Sequence, residues 1–81
     1  MANYLGIKGV KFIYHGDWAD PEIMYKGYLF NYYDVEDPLW EDFQDRTNGQ
    51  GTADEFEQWL KDNPYYVTDW LEELIALKDC A

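Results

Sequence analysis

Tyr28-Leu29-Phe30-Asn31-Tyr32-Tyr33-Asp34-Val35-Glu36-Asp37-Pro38-Leu39-Trp40-Glu41-Asp42-Phe43 is where two chemistries meet in this chain. Before it the sequence is strand-like, rich in tyrosine and close to neutral. After it the sequence is helical and acidic. Residues 1–33 hold three carboxylates and three lysines, whereas residues 34–81 hold fourteen carboxylates against Arg46, Lys61 and Lys78. The whole formal charge of −11 therefore falls in the second part. Strands followed by helices in one short chain point to an α+β domain.

Upstream of the junction, Glu22–Tyr33 reads as one long strand. Ile23, Tyr25, Leu29 and Asn31 alternate with Met24, Lys26, Tyr28, Phe30 and Tyr32. Both faces carry apolar or amphipathic side chains, so each is expected to be partly covered. Gly27 in mid-strand suggests a bulge or a close backbone approach. Ile7–His15 is a second strand candidate, with Val10, Phe12 and Tyr14 on one face and Lys11, Ile13 and His15 on the other. Gly16-Asp17-Trp18-Ala19-Asp20-Pro21 between them is a loop of turn formers, and Trp18 is an unusual residue to find in a connector. An antiparallel hairpin is the simplest pairing of the two runs, and residues 3–8 offer a third strand. A bare hairpin is marginal in water, so helices must cover one face.

Downstream, Asp37-Pro38 has the form of an N-cap followed by proline at the first helical position. The first helix is predicted to run from there to about Arg46, with Leu39, Trp40 and Phe43 as its apolar stripe. Thr47-Asn48-Gly49-Gln50-Gly51 is a loop whose glycines can stop that helix. Thr52-Ala53-Asp54-Glu55 has the spacing of a capping box and opens a second helix with Phe56, Trp59 and Leu60 on its apolar side. Asn63-Pro64 repeats the cap-then-proline signal. A third helix is predicted from Pro64 to Lys78, with Val67, Trp70, Leu71, Leu74, Ile75 and Leu77 at helical spacing. The expected fold is a single α+β domain over residues 1–81. It is a β-hairpin, with three strands if residues 3–8 join it, followed by three short helices in the order ββααα.

An 81-residue chain has a small core, and this one carries four Trp, four Phe and eight Tyr to fill it. Each such ring buries about 150–250 Å². Acidic chains poor in aromatics read as disordered, and this composition argues the opposite. Cys80 is the single cysteine, so no internal disulfide is implied. It also lacks any reactive setting that the sequence can show. No apolar leader or run of about 20 apolar residues is visible, and the expectation is a cytoplasmic protein. Nucleic acid and anionic membrane are disfavoured as direct ligands, because phosphate recognition needs Lys and Arg.

The acidic helices hold the chemistry that stands out. Asp37, Glu41 and Asp45 fall at i, i+4 and i+8 on the first helix with Asp42 beside them, and Asp54, Glu55 and Glu57 follow on the second. Successive members of such a row lie about 6 Å apart along the axis, a spacing at which like charges mildly destabilise a helix. A surface of this kind can imitate the phosphate array of a nucleic acid and occupy a basic groove on another protein. The plain alternative is a solvated face that maintains solubility. Trp18 and Tyr28 are the aromatic candidates for partner contact, with Tyr25, Tyr32, Tyr33, Tyr65 and Tyr66 as further tyrosines at a sheet or core rim.

Other chemistries have weaker support. Asp34, Glu36 and Asp37 could offer oxygens to a hard cation, but the EF-hand pattern is absent. One His and one Cys make no zinc set. His15 with Asp17 is the single acid–base pair worth naming, and its plain reading is a strand-end histidine beside a carboxylate. The sequence therefore predicts no catalytic residue, no metal and no cofactor.

His15-Gly16-Asp17-Trp18-Ala19-Asp20-Pro21-Glu22 and Tyr28–Glu36, followed by the acidic helices, resemble short hypothetical proteins of bacteriophages and mobile elements. In size and acidity the chain is also similar to the antirestriction and anti-CRISPR proteins such elements carry. Those are several unrelated families, so the resemblance transfers no residue. It implies an acidic decoy for a host defence or DNA-handling enzyme. The competing expectation is an accessory domain that self-associates through its Tyr-rich sheet or an edge strand, as a homodimer.

Overall fold

The computed structural model describes residues 2–79, so the sequence expectation for Cys80 lies outside the described residues. The fold is α+β, an antiparallel sheet followed by three helices. The sheet has four strands in the order β1 (Ala2–Asn3), β2 (Val10–Ile13), β3 (Glu22–Tyr25) and β4 (Tyr28–Asn31). The helices are α1 (Tyr32–Thr47), α2 (Ala53–Asp62) and α3 (Tyr65–Asp79). Short 3-10 turns at Tyr4–Gly6 and Gly16–Trp18 join the first three strands.

The long strand expected over Glu22–Tyr33 is two strands. Lys26 and Gly27 both have positive φ, 52° and 82°, the conformation of a two-residue hairpin turn that matches the strand twist. Gly27 is thus a turn residue and not a bulge. The turn also corrects the faces. In the hairpin Tyr25 opposes Tyr28, Ile23 opposes Phe30 and Met24 opposes Leu29. Reversal after two residues places Ile23 with Phe30, whereas an unbroken strand would place it with Leu29. Val10, Phe12, Ile23, Tyr25, Tyr28 and Phe30 consequently form the inner face. Lys11, Ile13, Met24 and Leu29 form the outer one, and Leu29 is 47% exposed. Tyr14, expected to share a face with Val10 and Phe12, lies beyond the end of β2 and is exposed. Residues 3–8 contribute a single strand residue, Asn3, and then the turn that buries Tyr4. Tyr4 and Ile7 are both core residues, and Ile7, expected to open the strand Ile7–His15, lies ahead of β2.

The first helix starts five residues before Asp37. Asn31, the last residue of β4, is its N-cap and accepts from the Tyr33 N–H at 2.9 Å. Asp37 is inside the helix and so is Pro38. Proline has no N–H to give the carbonyl four residues back, which is that of Asp34. The Trp70 indole Nε1–H of α3 donates to that carbonyl at 3.1 Å. The early start also puts Val35 in the core, fully buried beside Leu39 and Phe43. Asn48, with φ 56°, takes the left-handed position that ends α1, ahead of Gly49.

The second helix opens on the expected capping box. Thr52 Oγ1 accepts from the Glu55 N–H at 3.2 Å, and Glu55 Oε1 accepts from the Thr52 N–H at 3.0 Å. Phe56 and Leu60 are buried, as are Val67 and Leu71 of α3. Leu77 leaves the expected stripe and is 65% exposed. The end of α3 fastens the β3–β4 hairpin. Glu72 accepts from the Tyr25 hydroxyl and from Lys26 Nζ, Asp79 accepts from the Tyr28 hydroxyl, and Lys78 Nζ donates to the Leu29 carbonyl at 3.0 Å. That last bond occupies an outward carbonyl of edge strand β4.

Candidate functional site

The buried side of α1 is set by Val35, Leu39 and Phe43, so the opposite ridge faces solvent. Asp34, Asp37, Glu41 and Asp45 are the exposed carboxylates along it. None of the four has an ion-pair partner among the described residues. Asp54 and Glu57 on α2 are likewise exposed and unpaired among those residues. Two of the expected contact residues have partners within the fold. Asp42 accepts from Arg46 Nε at 3.2 Å, and the guanidinium lies over the rings of Trp59 and Tyr66. Glu55 closes the capping box.

The aromatic candidates separate as well. Trp18 is 84% exposed on its 3-10 turn and stands free of the core. Tyr28 is half-buried on the inner face, stacked on Phe30 with ring centroids 6.4 Å apart, and its hydroxyl is held by Asp79. Tyr28 therefore serves the docking of α3. His15 meets Glu22 and not Asp17, with Nε2 to Oε1 at 2.7 Å. Among the described residues no three His, Cys, Asp or Glu side chains come close enough to hold a metal ion, the trio Asp34, Glu36 and Asp37 included.

One concave feature of this acidic region lies between the Tyr4–Gly6 turn, α1 and α2. It is a groove of about 560 Å³. Tyr4, Phe12, Tyr32, Trp40 and Phe56 line it. The rings pack edge to face, Tyr4 on Tyr32 at 6.1 Å and Trp40 on Phe56 at 5.1 Å between centroids. Glu36, Asp37 and Glu57 add three carboxylates to the lining. Tyr32, Glu36 and Trp40 recur at i, i+4 and i+8 and so fall on one line of the helix. That repeat was the available signal for Glu36, which the sequence reading considered only as a metal ligand. The approach of α2 that brings in Glu57 has no such signal.

The groove's charges act on one another. Partial burial, then the charges of Asp37 and Glu57, raise the Glu36 carboxyl above the usual range. Burial, then Glu36 and Glu57, raise the Tyr4 phenol. Folding thus holds a proton on Glu36 more tightly than the unfolded chain does. Its ionisation subtracts from stability as pH climbs from the ordinary glutamate value through the raised one, and the penalty is complete above that window. Glu36→Gln is expected to raise Tm at neutral pH and to give no gain once the pH lies below the ordinary value. Thermal melts at the two pH values measure this, and an equal shift at both would assign the effect to packing.

No helix among the described residues is long and apolar enough to cross a membrane. Comparison with protein-family models, with curated proteins and with solved structures returns no match to this chain.

Proposed function

We propose that this protein is a non-enzymatic interaction protein that binds a basic partner through the acidic side of α1 and α2. The nucleic-acid groove of a DNA-handling or defence enzyme is the kind of surface it suits. The observation that carries this reading is the run of exposed carboxylates Asp34, Asp37, Glu41 and Asp45, none of them ion-paired among the described residues. Each added carboxylate on one ridge costs self-repulsion, which a cationic partner relieves. Binding of this type is fast and salt-sensitive. Asp37, Glu41, Asp45, Asp54 and Glu57 are its contact residues. Asp42 and Glu55 support the ridge from their in-fold partnerships.

The test is capture of a basic partner at low salt, repeated at high salt and with Glu41→Lys combined with Asp45→Lys. The charge-reversed protein is expected to bind at least about tenfold more weakly and with a flatter salt dependence, as loss of surface ion contacts requires. Unchanged affinity in that variant would sink the reading.

A second reading, self-association through the sheet, draws on the outer face. Leu29 is 47% exposed there beside the half-buried Met24 and Ile13, and Trp18 projects nearby in sequence. The face suits it better than the edges, since β1 has two residues and Lys78 occupies a carbonyl of β4. It predicts a dimer on sizing that high salt does not dissociate and that Leu29→Lys does.

A further inference from the structure

The chain's own cations show what its aromatic–carboxylate sites are suited to hold. Arg46 sits beside Asp42 with its guanidinium 5.6 Å from the Trp59 ring centroid and 5.1 Å from that of Tyr66. Lys26 pairs with Glu72 and lies 5.4 Å from the Tyr25 ring. Lys78 lies 4.8 Å from the Phe30 ring, at the margin of the second groove that runs along α1 and holds Asp34 and Asp37. Each place combines a π-face with negative charge, and each contains a lysine or arginine.

The groove at Tyr4 has the same two ingredients and, among the described residues, no Lys, Arg or His lining it. Its volume of about 560 Å³ falls within the roughly 300–1,000 Å³ of small-ligand sites. Tyr4 is 6% exposed, lines the groove, and its hydroxyl has no hydrogen-bond partner among the described residues. No buried side-chain oxygen or nitrogen lacks a partner among those residues, so that hydroxyl keeps some exposure to solvent. A phenol held this way, beside Glu36 and Glu57, is a polar group left available for a ligand. Three carboxylates too dispersed to hold a metal ion can still surround a larger, delocalised cation.

We infer that this groove binds a guanidinium group, that of an arginine presented by the basic partner. A guanidinium is planar and weakly hydrated, stacks on aromatic faces, and donates from five N–H groups in a fixed fork, whereas an ammonium is a compact, strongly hydrated point charge. Asp37 lies both on the exposed ridge of α1 and in the groove lining, so one basic surface can engage the ridge and insert its arginine here. The inference rests on the partner reading for the source of the arginine. The groove's preference for a guanidinium stands by itself.

The experiment is an NMR titration of the full chain with N-acetylarginine amide, against the lysine and citrulline analogues. The arginine probe is expected to move the Trp40 indole signal and the backbone signals of Tyr4, Glu36 and Glu57. The lysine probe should bind several-fold more weakly, and the uncharged citrulline probe should leave those signals in place. Glu36→Gln and Glu57→Gln should each weaken the arginine probe about tenfold, the size of one charge-assisted contact. Spectra of the variants report their folding directly, and Asp17→Asn, in the exposed Gly16–Trp18 turn, serves as a control outside the groove. Equal response to citrulline or to lysine, shifts confined to Trp18 or another surface, or unaltered binding in both glutamine variants would overturn the assignment. Probe binding without any retained basic protein supports the groove and removes the partner. Salt-sensitive capture with a silent probe removes the groove and leaves the ridge.

Discussion

Phe43→Ala is expected to remove about 3–5 kcal/mol of stability, the usual range for truncating a buried ring. Domains of this size hold roughly 4–12 kcal/mol in total, at about 0.05–0.15 kcal/mol per residue. The loss is a large fraction of that total. Phe43 is the hub of the aromatic cluster joining α1 to α2, with ring centroids 6.3 Å from Trp40, 5.5 Å from Phe56 and 5.2 Å from Trp59. It also explains Gly51. A Cβ at that position would lie 2.3 Å from Cε2 of Phe43 and 2.9 Å from Cδ2. The backbone there cannot easily retreat, since Gly51 N–H donates to Thr47 Oγ1 and Gln44 Nε2 donates to the Gly51 carbonyl. Gly51→Ala is accordingly expected to cost about 1–3 kcal/mol by overpacking. In the Phe43→Ala background the same methyl enters vacated space, and its cost should vanish or change sign. Urea unfolding of the four proteins decides the point. Additive costs would mean that the ring is not what excludes a side chain at position 51.

The second result concerns the proline inside α1. Pro38→Ala is expected to stabilise the protein by about 1–3 kcal/mol, because an alanine supplies the missing N–H and a better helix residue. Trp70→Phe should cost about 1–2 kcal/mol, part of it from the bond between Nε1 and the Asp34 carbonyl. The two sites are coupled through that one oxygen. With alanine at position 38 the carbonyl has a donor within its own helix, and the cost of Trp70→Phe should fall. The packing lost with the indole is common to both backgrounds and cancels in the cycle. Equal cost in both backgrounds would show that the indole acts through packing alone.

The groove illustrates how far the sequence could be read for function. The acidic ridge was legible because helical spacing places Asp37, Glu41 and Asp45 near one another without any tertiary information. Which of the acidic side chains are spoken for was legible only in part. The capping box already assigned Glu55 to its own helix terminus, whereas the hold of Arg46 on Asp42 needed coordinates. Glu36 came to line the groove only when the turn bearing Tyr4 and the helix bearing Glu57 packed around it.

The sequence by itself determined what is local. The capping box of Thr52 and Glu55 spans four residues, the apolar stripes of α2 and α3 repeat each turn, and the charge division between the halves is composition. Helix starts set by neighbours in the chain are readable for that reason. Tertiary structure decided whatever depended on a distant partner. Asp37-Pro38 is a helix start by every local rule, and the chain overrides it because Asn31 caps earlier and Trp70, 36 residues beyond Asp34, satisfies the carbonyl that Pro38 orphans. The face of Leu29 was decided in the same manner, by pairing with Met24 across a turn and not by its own alternation. A backbone group must find a hydrogen-bond partner, but the partner need not be close in sequence, and at those places the tertiary fold supplied it.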